Sequence, residues 1–164
     1  MKKIIAALSI LTILLFSFAS CQKEPAVYTG TLEELMDAIY EKAPTEIMLN
    51  ETKQVDLNNI YELEEYLGIT SPEGIVQAIC SEPAFTGEAY SLVLLRVDDT
   101  EKVESIKAAI SDGINMEKWI IASADTLKVE SWGDVIMVLM LDSQLEESLQ
   151  ENIVAAFEEA VECE

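Results

Sequence analysis

A chain of 164 residues with 31 acidic against ten basic side chains, a formal charge of −21, is long enough for one domain with a real core. It is far too negative to attract nucleic-acid phosphates, and it repels anionic lipid headgroups, so the folded part should stand off a membrane rather than lie on it. No histidine occurs anywhere, which denies any serine or cysteine nucleophile its commonest base.

In chain order, Lys2 and Lys3 precede an apolar stretch from Ile4 to Ala19, interrupted only by Ser9, Thr12 and Ser17. A stable membrane span needs about 20 apolar residues, so this stretch is marginal. Basic start, modest apolar middle and small residues before a polar break form the pattern of a secretory signal peptide. Phe18-Ala19-Ser20-Cys21 resembles the lipobox of bacterial lipoproteins, with Phe18 where leucine is usual. The resemblance implies a diacylglyceryl thioether on Cys21 and cleavage that leaves this cysteine first. An ordinary cleaved signal and an uncleaved anchor are the competing readings. Each buried methylene of such an anchor adds about 0.8 kcal/mol, so two fatty chains of palmitate length tether a protein without any transmembrane helix. The expected organisation is a signal peptide (1–20), the lipidated cysteine with a short linker (21–30), and a single extracytoplasmic domain (31–164) on the outer side of the cell membrane. Loss of Lys2 and Lys3 would leave eight basic residues against 31 acidic ones.

With Cys21 lipidated, Cys80 and Cys163 remain, without CxxC or metal-finger spacing. Outside the cytoplasm they could pair, closing a long loop worth about 4 kcal/mol in the chain-entropy model, or stay as two thiols.

"TGTLEELMDAIYEKAP" predicts a first helix. Thr31 and Glu34 form a capping box, Leu32, Leu35, Met36, Ile39 and Tyr40 make one stripe, and Pro44 stops it. A second helix is expected over Leu57–Leu67, capped by Asp56 and ended by Gly68, with a short extended piece at Ile47–Leu49 between the two. "GIVQAICSEP" and "AYSLVLLRV" read as strands. "DDTEKVESIKAAISDG" follows as a helix, and "MEKWIIASAD" as a shorter one. "TLKVESWGDVIMVLML" reads as a hairpin around Trp132-Gly133-Asp134. The last helix is expected from Ser143, with a capping box to Glu146. Its stripe runs from Leu145 to Val161. Glu158, Glu159, Glu162 and Glu164 crowd its negative end, so the chain should fray past Ala160 unless Cys163 is tied down.

The fold class is therefore α+β: a four-stranded, mainly antiparallel sheet with the two longer helices on one face and an N-terminal helical lead-in. "YSLVLLRVDDTEKVESIKAAI" and "VIMVLMLDSQLEESLQENIVAAF" suggest a ββα–ββα repeat; chance likeness between two common strand–helix pairs is the alternative. Val135 to Leu141 is apolar on both faces, where a sheet with one wet face should alternate. Either the lead-in helices cover the second face, or Val135, Met137, Leu139 and Leu141 form an interaction face for a partner, a second copy or an apolar ligand.

The signal region, the acidic helical lead-in, "AYSLVLLRVDDTEKVESIKAAI" and the closing hairpin "LKVESWGDVIMVLMLD" together resemble a family of small bacterial lipoproteins of unknown function. That family is found mainly in Gram-positive anaerobes, although "CQKE" after the cleavage site also suits a Gram-negative lipoprotein. The resemblance implies an extracytoplasmic α+β domain and no assigned activity.

No phosphate-binding glycine loop, DxDxDG or HExxH occurs, so neither a cofactor nor a metal site is expected. Asp98, Asp99 and Asp142 stand where strands end and helices begin, as caps and dipole partners. The function expected is that of a lipid-anchored, non-catalytic binding or accessory module at the cell envelope, with a protein partner or self-association and no nucleic acid. The alternative is a cation-dependent or carboxylate-based enzyme acting on envelope polymers.

Overall fold

A computed structural model describes residues 27–162. The signal segment, Cys21 and Cys163 lie outside the described residues. Among the described residues no helix is long and apolar enough to cross a membrane.

Helix α1 (Leu32–Lys42) begins as the sequence predicts. Thr31 Oγ1 accepts from Glu34 N–H at 3.1 Å, and Thr31 N–H donates to the Glu34 carboxylate at 2.9 Å. That backbone bond from Thr31, followed by one from its hydroxyl, holds the Glu34 carboxyl below its ordinary pKa. Helix α2 (Ile60–Leu67) starts later than expected. Asn59 supplies the cap, accepting from Tyr61 N–H at 3.1 Å, while Asp56 closes the preceding turn on Asn58 N–H at 2.9 Å. Gly68, at φ +66°, ends it in the left-handed conformation that glycine tolerates best.

The sheet has five strands rather than four: β1 (Lys53–Gln54), β2 (Ile75–Ser81), β3 (Tyr90–Val97), β4 (Thr126–Trp132) and β5 (Val135–Leu141). Their order is β1-β2-β3-β5-β4, and every neighbouring pair is antiparallel. The additional strand, β1, is two exposed polar residues on the edge, with no apolar alternation for a sequence reading to find. The predicted extended piece at Ile47–Leu49 is reduced to a single bridge between Leu49 and Pro83.

Both faces of the sheet are covered, which explains why β3 and β5 fail to alternate. On one face Tyr90, Leu92 and Leu94 stand opposite Leu141, Leu139 and Met137, under α1 and α4 (Leu149–Glu162). On the other, Val93, Leu95, Ile136 and Val138 pack against α2 and α3 (Val103–Gly113). Between Ile75 and Gln77 a bulge extrudes Val76, which lets Ile75 share this second face with Ala78 and Cys80.

Three expectations are corrected here. The longer helices α3 and α4 lie on opposite faces, each paired with one lead-in helix. The β2-β3-α3 and β4-β5-α4 units recur in element order but are not symmetric copies. A rotation superposing two antiparallel hairpins in one sheet would keep their helices on the same side. Finally, Val135, Met137, Leu139 and Leu141 are at most 1% exposed beneath α1 and α4, so they are core and not an open interaction face.

Helix α4 begins at Leu149, after Ser148 at φ +61°, and not at Ser143. The residues of the expected capping box are engaged elsewhere. Ser143 N–H and Oγ–H donate to Asp125 at 2.8 and 2.7 Å, and the Glu146 carboxylate accepts from Thr45 Oγ1 and Glu46 N–H. At its far end the helix continues past Ala160 to Glu162, with Val161, 1% exposed, seated in the core. Burial of that side chain opposes the few tenths of a kcal/mol that each misplaced carboxylate costs.

Candidate interaction site at the loop pole

The strands give the molecule two poles, separated by seven residues of β5, about 20 Å. At the N-terminal pole the chain enters beside the β4–β5 turn. Gly133, at φ +57°, makes this two-residue turn possible, and the turn presents Asp134. Asp134 Oδ1 accepts from Tyr28 N–H at 2.7 Å, and its other oxygen lies 3.3 Å from Arg96 Nε. Arg96 Nη2 in turn donates to the carbonyls of Gly30 at 2.7 Å and Tyr28 at 3.2 Å. One ion pair thus clamps residues 28–30 onto the ends of β3 and β5.

The loop pole gathers the segments 43–52, 82–89, 114–125 and 142–148. Ala84 N–H donates to Met48 O and Asn50 N–H to Glu82 O, binding the first segment to the second. Asp142 N–H donates to Ala89 O, Asp125 N–H to Leu141 O, and Ala124 N–H closes the third segment on Met116 O. Bonds from the Ser143 hydroxyl and then its amide lower the Asp125 pKa. A small satellite core of Ala89, Ala124 and Met140 sits beneath, with Met116 and Trp119 packed on it.

Lys118 fixes the 114–125 segment to the sheet. Its side chain is 8% exposed and its Nζ lies 2.5 Å from a Glu82 oxygen. The same ammonium reaches Ser91 Oγ at 3.3 Å and stands 4.8 Å from the Tyr66 ring and 5.1 Å from the Trp119 ring, distances at which a cation is attracted to an aromatic face. Lys53 Nζ is 4.9 Å from the same Tyr66 ring. Burial pushes the Tyr66 hydroxyl up to about 12 and the Cys80 thiol up to about 11, in the second case with help from the charge of Glu82. Both groups are neutral and inert at physiological pH.

Around this fixed base the loop tips are apolar and open. Phe85 is 60% exposed, Ile120 90% and Ile121 75%, and Met48 lies on the adjoining segment at 61%. Pro83, Phe85, Trp119 and Ile120 line a cleft of about 220 Å³, with Glu65 and the Glu82–Lys118 pair at its polar edge. Glu88 Oε2, in the same loop as Phe85, is shielded from solvent and finds no donor among the described residues.

The sequence reading missed this site because it read "MEKWIIASAD" as a helix. No helix forms there. The signal was available: Trp119, Ile120 and Ile121 are consecutive, so a helix would spread them around its circumference instead of along one stripe. Asp99 caps the single 3-10 turn before α3, accepting from Glu101 N–H at 2.9 Å, and Asp98 pairs with Lys102 at 2.9 Å, whereas Asp142 caps no helix and closes a turn on Gln144 N–H at 2.9 Å. Among the described residues no group of three or more Cys, Asp or Glu is arranged to hold a metal ion. Cys80 is buried on the α2/α3 face of the sheet, opposite the face that carries α4; Cys163 lies outside the described residues.

Comparison of the chain with protein-family models, with curated proteins and with solved structures finds no match.

Proposed function

We propose that this chain is a lipid-anchored, extracytoplasmic lipoprotein whose domain is a non-catalytic binding or accessory module at the cell envelope. A diacylglyceryl thioether on Cys21 holds it to the membrane, and the loop pole is its working surface. The likeness to small bacterial lipoproteins of unknown function belongs to the same reading. The observation that carries it is the separation of the two poles: the chain enters at one, and Phe85, Ile120 and Ile121 are exposed at the other. Cys21 is seven residues from Tyr28, a reach of at most about 25 Å. A tether attached at the N-terminal pole leaves the apolar tips directed away from the bilayer.

Detergent-phase partitioning of the native protein tests the anchor. The wild type should enter the detergent phase and Cys21→Ala should not; equal partitioning of both would contradict the reading. A fluorescent dye for apolar surface tests the pole. It should bind the native domain and lose most of its signal when Phe85, Ile120 and Ile121 are all changed to serine. A dye signal unaffected by the triple change would remove the loop pole as the exposed surface.

A further inference from the structure

Resting on the reading of this domain as a binding module, we infer that the loop pole docks a positively charged, partly apolar segment of another protein. Three observations converge on that chemistry. The tips Phe85, Ile120 and Ile121 are large, apolar and exposed, and Phe85 and Ile120 together with Trp119 border a cleft wide enough for one side chain. The four segments of this pole contain nine Asp and Glu against a single cation, Lys118, and Lys118 is already paired with Glu82. Glu88 Oε2, in the loop that carries Phe85, is shielded from solvent and has no donor among the described residues, so its charge is left unmatched there.

A lysine or arginine from the partner is attracted by the charge of Glu88 and the other carboxylates of this pole, and its aliphatic stem covers the apolar tips. The same charge excess disfavours the other occupants. A second copy would bring its own acidic pole into contact, where separations fall inside the Debye length and repulsion is not screened. An anionic bilayer is repelled for the same reason.

The experiment places a photo-cross-linking phenylalanine analogue at Phe85 in the full-length chain in its own envelope. The same analogue at Tyr61, 77% exposed on α2, is the control. The expected result is a protein adduct at position 85, at least tenfold weaker at position 61, in which the cross-linked peptide carries net positive charge. In that background Glu88→Gln should lower the adduct yield about threefold or more; an unchanged yield would overturn the role given to Glu88. An adduct to lipid, to a second copy, or to a peptide without excess Lys and Arg would overturn the inference and leave the binding-module reading standing. Equal adducts at both positions would overturn the assignment of the surface. No adduct at either position would remove the inference and the module reading together.

Discussion

The N-terminal pole and the loop pole are capped on the same strands, yet they treat polarity in opposite ways. At the N-terminal pole the charges face inward and are matched: Arg96 and Asp134 hold each other and the backbone of residues 28–30. At the loop pole most charge is unmatched and carboxylate, and the largest apolar side chains point to solvent. The N-terminal pole spends its polar groups on its own backbone, although Arg96 Nε, like Glu88 Oε2 at the loop pole, makes no hydrogen bond among the described residues. Both sheet faces carry helices, and the loops at one end hold Phe85, Ile120 and Ile121, among the most exposed large apolar side chains of the described residues.

Substitutions sharpen this contrast in descending order of effect. Leu139→Ala, in the core under α1 and α4, should cost about 3 kcal/mol in urea unfolding. A change below about 0.5 kcal/mol would mean that this face is open after all. Asp134→Ala strips Arg96 of its partner and Tyr28 N–H of its acceptor, and should also cost about 3 kcal/mol. Amide exchange at Tyr28 should accelerate with it, while exchange at 114–125 stays unchanged.

Lys118→Met should cost less, about 2 kcal/mol, since Glu82 retains some contact with water. It should speed exchange in 114–125 and leave Tyr28 protected, the mirror image of Asp134→Ala. Acid separates the poles by another route. Because Asp125 has a lowered pKa in the folded state, its bonds to Ser143 stabilise above the unfolded carboxylate pKa near 3.8 and are lost as pH falls through the lower folded value. The difference in Tm between wild type and Asp125→Asn should therefore be constant at neutral pH and shrink below about pH 4. At the small end, Ile120→Ser and Ile121→Ser should each change stability by no more than about 0.5 kcal/mol, as solvent-facing tips do.

Much of this fold is legible in the sequence because local chemistry and tertiary contacts agree. Thr31 and Glu34 mark the start of α1, Gly68 the end of α2, and Gly133 the β4–β5 turn, and each does in the fold what its neighbours in sequence require. Where tertiary bonds compete, the local reading fails. Ser143 and Glu146 look like a capping box, but Asp125 takes Ser143 and Thr45 takes Glu146, so α4 starts at Leu149. The two-sided apolar character of β5 correctly calls for a second cover, yet periodicity does not reveal which helix lies on which face. Leaving that surface open to a partner, as the alternative to cover by the lead-in helices, followed from this ambiguity. The loop pole was hidden for a different reason: Phe85 and Ile120 come from segments far apart in sequence, and tertiary contacts such as the Lys118–Glu82 ion pair and the packing of Trp119 on Ala89, Ala124 and Met140 bring them together.

The claim on which the two-pole account turns is that the N-terminal pole is moored through Cys21. Intact mass spectrometry of the native protein tests it directly. The account predicts a chain beginning at Cys21 and carrying the added mass of a diacylglyceryl group. A product that retains Met1, or one that begins at Cys21 with a bare thiol, would contradict it.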